Sequence, residues 1–340
     1  METKRCKHCN EEHVGGDDQC LEYKMPAYLT ANERRLFLHG MVKSLPLSVQ
    51  NRLTVLKNLQ IEHLELELQL YEDIFNIEKK YHEKLMPLYA KRKDIISGKF
   101  EPPTEAPKWK ETEDSDTEVP MNCDYSSILQ MYKTTTEETK GLPNFWLTVF
   151  KISDRIADLI YENDLPLLTK LNDLSIEYSQ LSYTLGFHFD ENEYFTNSVL
   201  TKQYFLKQTL DAEYPFSYDG PDVIKSIGCD IDWKNDMSLT TRLVPTGPDE
   251  KEFETIQMAS FFNFFNTTYI FDDNMDEEAQ ETVIKDFEIG QFLRDELIPR
   301  AVLFFTGDFY DNSEYFSEEC TESVAEEHEE EESDEENKQP

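Results

Sequence analysis

The chain has 340 residues, of which 70 are acidic and 33 are basic, so its formal net charge at pH 7 is −37. A negative field of this size repels nucleic acid and anionic membranes, and it attracts strongly basic partners. The sequence contains no apolar run of membrane-spanning length. Six scattered cysteines without a signal peptide favour a reducing compartment, the cytosol or the nucleus.

The first 29 residues are expected to be a disordered N-terminal segment. They contain Cys6, Cys9, His13 and Cys20, a spacing that approaches a small zinc site but differs from it at the two later ligands. Stray thiols are therefore favoured over a metal site. A helical dimerisation region is predicted over 30–98, and it begins with a short helix over 30–44.

The main element of this region is a long helix predicted over about 47–85. It contains no glycine, Pro46 lies at its start, and Pro87 marks its end. At 1.5 Å per residue this helix is about 58 Å long, and such length is typical of extended assemblies. We therefore predict a homodimer joined through the helix, with a long core helix in a monomer as the alternative.

Apolar residues on the long helix form two adjacent rows. One row has the alternating spacing of three and four residues that is typical of a coiled-coil seam. The face is wider than a two-stranded seam requires, so its flank is expected to pack on the rest of the same subunit. The residues predicted to contact the partner copy are Leu53, Leu56, Ile61, Leu64, Leu68, Tyr71 and Phe75. The second row consists of Leu66, Leu70, Ile74, Ile77, Tyr81 and Leu85.

The pattern downstream of the long helix changes several times. Pro87 is expected to open a second short helix that closes at Gly98. Residues 99–124 are rich in proline and acid, which predicts an acidic flexible loop. The apolar pattern over 145–168 then predicts another helix.

Period-two patterns in the next part of the chain predict an antiparallel meander. The apolar run SFFNFF at 260–265 is expected to plug this sheet, and a closing helix broken at Pro299 is predicted over 287–303. The fold class is therefore α+β, with one such domain over 125–310 and an acidic disordered tail over 311–340. The strands are predicted over 182–190, 194–206, 230–233, 239–244 and 253–258.

Seven blocks of sequence, in the same order, resemble the nucleosome assembly protein family of histone chaperones. They include GLPNFWLTVFK at 141–151, NEYFTNSVLTK at 192–202 and FEIGQFLRDELIPRAVLFFTG at 287–307. Such long blocks in register are very specific. The remaining blocks lie at 45–60, 80–96, 215–234 and 260–265.

The resemblance implies a homodimer joined through the long helices, with core histones bound on acidic surfaces of each α+β domain. It also implies nucleosome assembly and disassembly without ATP, histone transport, and residence in both nucleus and cytoplasm. The chain departs from the family between 234 and 260, where the connection is short and lacks the dense basic tip that the family usually carries. Nuclear entry through that element is therefore in doubt.

The candidate histone-binding residues are acidic side chains near helix and strand ends and in the tail. From Ser317 onward the chain has twelve acidic residues and one lysine, so the remaining residues still carry a net charge of −26. Most single surface charges are energetically quiet, so the cluster is a stronger prediction than any member. The candidates are Glu162, Asp164, Asp190, Glu191, Glu193, Asp273, Asp276, Glu277, Glu278, Glu329, Glu330, Glu331, Glu332, Asp334, Glu335 and Glu336.

Ser115 and Ser333 each precede a carboxylate by three residues, which makes them candidate phosphorylation sites. Unmodified serines are an equally good interpretation.

An enzyme is disfavoured, because the sequence has no Gly-rich phosphate loop, nucleophile elbow or paired-histidine motif. No cofactor is expected. Two alternatives to a core-histone chaperone stay open. One is an acidic protein of the same fold that inhibits a phosphatase, and the other is a chaperone for other basic chromatin proteins, such as linker histone or protamine-like proteins.

Overall fold

The computed structural model describes residues 4–5, 12–13, 29–110, 125–207, 209–220, 222–246, 252–265, 268–271 and 275–309. These residues form two compact units. One unit comprises the described residues up to Glu67 together with Leu210–Tyr218, and the other comprises the remaining described residues. Helices precede an antiparallel sheet, and helices follow it, so the predicted α+β class is confirmed.

The first unit begins with a two-residue antiparallel pair, β1 (Lys4–Arg5) and β2 (Glu12–His13). The predicted short helix is present as α1 (Ala31–Ser44). Its N-terminus has a capping box, in which Glu33 N–H donates to Thr30 Oγ1 at 3.3 Å and Thr30 N–H donates to Glu33 Oε2 at 2.9 Å. The helix contains no buried residue, and Leu36, Phe37, Leu38 and Met41 are exposed.

The long helix α2 (Leu47–Ile96) has 50 residues and continues past Pro87. The predicted stop at Pro87, with a separate short helix after it, is therefore wrong. A proline inside a helix removes one backbone hydrogen bond, but contacts within the second unit support the residues that follow. Arg92 Nη1 donates to Ile298 O at 2.6 Å, and Leu142 N–H donates to Ile96 O at 2.8 Å.

The helix predicted over 145–168 is broken into short pieces. After α3 (Tyr125–Tyr132), the chain forms α4 (Phe145–Ile152), α5 (Asp154–Ala157), a 3₁₀ turn at Glu162–Asp164 and α6 (Leu165–Leu168). Six consecutive residues of α4 are buried. Because a single straight helix could not bury all of these and also Leu167 and Leu168 of α6, the chain bends at Ser153, which has an extended backbone.

The central sheet is antiparallel and begins with β3 (Leu171–Tyr178), β4 (Ser182–Phe189), β5 (Val199–Leu206) and β6 (Val223–Ile227). The meander predicted from the sequence is only partly correct. Residues 230–233 form no strand, and the sole pairing there is an isolated bridge between Phe195 and Trp233.

Two predicted strands pair with each other outside the sheet. They are β7 (Thr241–Thr246) and β8 (Glu252–Gln257), which form a separate antiparallel hairpin. The fifth strand of the sheet is β9 (Thr268–Ile270), which pairs with β6. The order of the central sheet is therefore β3-β4-β5-β6-β9.

The core lies on one face of this sheet. Alternate residues of β4, namely Tyr183, Leu185, Phe187 and Phe189, are buried there. The predicted plug is confirmed, because a 3₁₀ turn at Phe261–Phe264 places aromatic rings against this face. The ring centroids of Phe187 and Phe265 are 4.9 Å apart.

The long helix α2 lies along β3. The rings of Phe75 and Tyr178 are 5.3 Å apart, and His82 Nε2 donates to Ile176 O at 2.9 Å. Farther along the helix, Lys93 forms an ion pair with Asp173 at 3.2 Å. These contacts hold the second half of α2 on the α+β domain.

The closing helix starts earlier than predicted, as α7 (Glu277–Phe292), and is followed by a π-helical turn at Leu293–Leu297 and by α8 (Ile298–Thr306). Gly290 allows α7 to approach the sheet closely, because a Cβ there would lie 2.2 Å from the Tyr204 ring. No helix in the described part of the chain is both long enough and apolar enough to cross a membrane.

Candidate acidic binding surface

The turn between β4 and β5 presents carboxylates on a rigid backbone. The buried Asn192 holds it, since its Oδ1 accepts hydrogen bonds from Tyr194 N–H at 2.9 Å and Phe195 N–H at 3.0 Å. Asn192 Nδ2 also donates to Asp190 O at 3.1 Å. A side-chain amide that satisfies three backbone groups fixes the turn. The carboxylates exposed by this turn are Asp190, Glu191 and Glu193.

Two further candidates, Glu162 and Asp164, differ in exposure: the first lies on the surface and the second in the core. Glu162 is exposed, whereas Asp164 is 0% exposed. The Asp164 carboxylate accepts hydrogen bonds from Ser260 Oγ at 2.6 Å and from Phe261 N–H at 2.7 Å. The prediction that Asp164 binds histones is therefore wrong, because this carboxylate holds the aromatic plug in place.

A second group of exposed carboxylates lies at the start of α7. Asp276 is the N-cap, and its Oδ1 accepts a hydrogen bond from Ala279 N–H at 2.8 Å. Glu277 and Glu278 occupy the first turn and are exposed. Negative charge at a helix N-terminus is stabilised by the helix dipole, so acidic side chains suit this position.

The exposed candidates are not neutralised by the protein itself. None of Glu162, Glu191, Glu193, Glu277 and Glu278 forms an ion pair with another residue that the structure describes. Their charges are therefore available to a basic ligand. The arrangement can bind cations through many weak contacts.

The other candidates lie outside the described residues. They are Asp273, the tail residues Glu329–Glu332 and Asp334–Glu336, the serines Ser115 and Ser333, and the cysteines Cys6, Cys9 and Cys20. Among the residues that are described, no group of three or more His, Cys, Asp or Glu side chains could hold a metal ion.

The apolar rows on α2 are arranged differently from the prediction. Phe75 is 3% exposed and contacts Tyr178 of the same chain, so the prediction that it contacts a partner copy is wrong. Leu64 is also buried, and Tyr71 lines a small cavity against the sheet. Of the remaining residues predicted for the partner contact, Leu56 is exposed, and Leu53, Ile61 and Leu68 are half-buried.

The second row, about a third of a turn away on the helix, is exposed in the single chain. The exposed fraction ranges from 39% at Ile74 to 66% at Leu66. Both rows follow from the sequence pattern, but which of them faces the sheet depends on how α2 is rotated against β3.

Sequence reasoning also missed a buried ion pair, which joins Lys202 of β5 to Asp286 of α7. Lys202 is 0% exposed, and Asp286 accepts a further hydrogen bond from Ser226 Oγ at 2.8 Å. The only available signal was a lysine in phase with the buried residues Leu200 and Tyr204 of β5.

Comparison with known proteins identifies the family of this chain. The family model described as nucleosome assembly protein matches residues 51–308. Nucleosome assembly protein 1-like 1 of Xenopus tropicalis is 37% identical over 293 residues, which cover 82% of this chain and 75% of that protein. The human protein of the same name is 38% identical over 281 residues, covering 79% and 72% of the two chains.

Among solved structures, nucleosome assembly protein 1 from Plasmodium knowlesi is similar at 25% identity and a TM-score of 0.49, covering 78% of this chain and 100% of that chain. The family match spans well over half of the chain, and both relatives exceed 30% identity over more than two thirds of it. The chain therefore belongs to the nucleosome assembly protein family.

Proposed function

We propose that this protein is a histone chaperone that binds core histones through the exposed carboxylates of its α+β domain and through its acidic tail. It would promote nucleosome assembly and disassembly and histone transport without ATP. The observation that carries the proposal is the family match over 51–308. The unpaired carboxylates at the β4–β5 turn and at the start of α7 support it.

Membership in the family places the chain in a non-enzymatic class, so the sequence-based exclusion of an enzyme is confirmed. The exposed carboxylates are also better suited to binding a basic ligand than to catalysis. One exposed ion pair contributes about 0–1 kcal/mol, but the summed field accelerates association and weakens as salt increases. DNA is a denser polyanion, so it can take over the bound histones by competition.

We also propose that the protein is a homodimer in which α2 pairs with a second copy through its second apolar row. The residues concerned are Leu66, Leu70, Ile74, Ile77, Tyr81 and Leu85, all exposed in the single chain. A contiguous exposed apolar row of this length is typical of a protein–protein interface.

Residence in both nucleus and cytoplasm is part of the same proposal. Fluorescence microscopy of the tagged chain would test it, together with a variant of the β7–β8 hairpin. Because the connection between 234 and 260 has no basic cluster, we expect deletion of that hairpin to leave nuclear entry unchanged.

The central experiment mixes the protein with DNA and one basic protein at a time, at physiological salt. The basic protein is core histones, linker histone or a small basic control protein. We expect core histones to be kept from precipitating DNA in preference to the control protein. Preferential rescue of linker histone would favour the alternative of a chaperone for other basic chromatin proteins. Rescue of none of the three would contradict a chaperone of either kind.

A pair of variants tests the surface itself. The first replaces Glu191, Glu193, Glu277 and Glu278 by glutamine. The matched control replaces four other exposed carboxylates, Glu101, Glu105, Glu137 and Glu138, so both variants lose the same charge. We expect the first variant to lose several-fold more histone affinity. Equal losses would assign the binding to net charge alone.

A further inference from the structure

A groove lies on the side of α7 that faces away from the sheet. One wall of the groove is α5 and the two residues that follow it, and the other wall is α7 and the π-helical turn. The volume of the groove is about 680 Å³. Helical spacing places the groove residues of α7 opposite Asp286 and Gly290, which contact the sheet. A volume of this size lies within the range of sites that bury a ligand.

The floor of the groove is apolar. It is formed by Leu159 and Ile289, which are half-buried, and by Phe292, which is 5% exposed. The guanidinium of Arg155 lies over the Phe292 ring at 5.1 Å from its centroid. Because Arg155 covers that ring, the apolar contact that the groove offers to a ligand side chain comes from Leu159 and Ile289.

The rim of the groove is acidic. Asp158, Glu288 and Glu296 form no ion pair with any other residue in the described part of the chain. The one lysine of the rim, Lys285, already lies 3.6 Å from Glu281. A basic ligand would therefore find free carboxylates on both sides of an apolar floor.

We propose that this groove docks a short peptide segment of a partner protein, in which one large apolar side chain stands between lysines or arginines. The apolar side chain would enter the floor, and the flanking cations would pair with the rim. The site goes beyond the proposed function, because none of its residues belongs to the carboxylates argued for histone binding. The acidic tail of this chain cannot be the occupant, since it repeats the charge of the rim.

The experiment measures fluorescence anisotropy of labelled peptides with the full-length protein. The probe is Arg-Arg-Leu-Arg-Arg, and the reference peptide has serine in place of leucine, so that both carry the same charge. We expect the leucine peptide to bind about tenfold more tightly, because burial of one leucine side chain is worth about that factor. Equal binding of the two peptides would overturn the proposal.

Two variants place the effect in the groove. The double substitution Glu288→Lys with Glu296→Lys replaces two rim carboxylates by cations. The control, Glu137→Lys with Glu138→Lys, makes the same charge change on an exposed loop that does not line the groove. We expect the preference for leucine over serine to disappear in the first variant and to persist in the second. Its persistence in both variants would overturn the groove assignment.

The floor is tested by Ile289→Ala, with circular dichroism as the check on folding. This change removes apolar contact without altering charge. We expect several-fold weaker binding of the leucine peptide and unchanged binding of the serine peptide. Unchanged binding of the leucine peptide would contradict an apolar pocket at this position.

Discussion

At the scale of single residues, the buried pair of Lys202 and Asp286 links the sheet to α7. The Lys202 ammonium pairs with Asp286 and donates to Phe264 O at 2.7 Å. Burial lowers the pKa of Lys202 and raises the pKa of Asp286, while the charge of each residue opposes the shift of the other. The pair therefore joins β5, α7 and the aromatic plug.

We predict that Lys202→Met destabilises the protein by about 3–5 kcal/mol, because Asp286 is left as an unpaired buried carboxylate. Urea unfolding followed by circular dichroism measures the change. The control is Lys285→Met, which breaks an exposed ion pair and should cost less than about 1 kcal/mol. Similar costs for the two variants would show that the buried pair adds nothing.

Two histidines make the stability depend on pH. His82 donates to Ile176 O, and burial lowers its pKa below the ordinary value of 6.5. His188 Nε2 lies 2.8 Å from Ser175 Oγ. Burial, and after it the nearby positive charge of Lys93, lowers the pKa of His188 as well. The unfolded chain therefore binds protons at a higher pH than the folded chain. This contribution to stability is full above pH 6.5 and is lost as the pH falls below it.

We predict that the free energy of unfolding falls when the pH is lowered from about 7.5 to about 5.5, and that it falls less in the double variant His82→Gln with His188→Gln than in the unaltered protein. Urea unfolding at each pH measures the difference between the two proteins. The matched control replaces the exposed His39 and His63 by glutamine. The same pH dependence in all three proteins would contradict the assignment.

The candidate site was predictable from sequence only in part at this scale. The exposed members, such as Glu191 and Glu277, were found because acidic residues beside turns and helix starts usually face solvent. Asp164 has the same local sequence character, but its partners Ser260 and Phe261 lie 96 and 97 residues away. No local pattern distinguishes a carboxylate with such distant partners.

At the scale of elements, α2 contributes to the core of the subunit and also to the proposed dimer interface. One side of this helix contacts β3, while its second apolar row stays uncovered in the single chain. A helix that presents apolar residues on two sides is stable when both sides are covered.

We predict that Leu70→Glu with Ile77→Glu yields a monomer, because two carboxylates would be buried against a second copy. Size-exclusion chromatography with light scattering measures the mass. The control Gln69→Glu with Asn76→Glu adds the same charges at exposed positions on a different side of the helix. A dimer that persists in the first variant would exclude this row as the interface.

Two of the strands that sequence reasoning missed, β3 and β9, were missed for local reasons. The pairing of β3 with β4 shifts between Leu171 and Asp173, and this irregularity breaks the period-two pattern that reveals a strand. The strand β9 has only three residues. By contrast, the long helix α2, although not its end, and the aromatic plug were predicted correctly, because these apolar patterns are strong.

At the scale of the whole molecule, net charge governs the encounter with basic ligands. Residues from Ser317 onward contribute −11 of the total of −37. Long-range attraction of this kind mainly changes the rate of association.

We predict that removal of residues 317–340 slows association with core histones several-fold at low salt and reduces the dependence of the rate on salt. Stopped-flow fluorescence at a series of salt concentrations measures both effects. A tail with the same composition in scrambled order is the control and should restore the rate. A rate unchanged by the truncation would exclude electrostatic steering by the tail.

The contacts between α2 and β3 also bear on aggregation. On one side of the described sheet, the outer strand is covered by a helix that hydrogen-bonds the Ile176 carbonyl, and on the other side the sheet ends in a strand of three residues. Free strand edges are templates for the addition of foreign strands. The described central sheet therefore leaves only a strand of three residues as a free edge to which a misfolded chain could add.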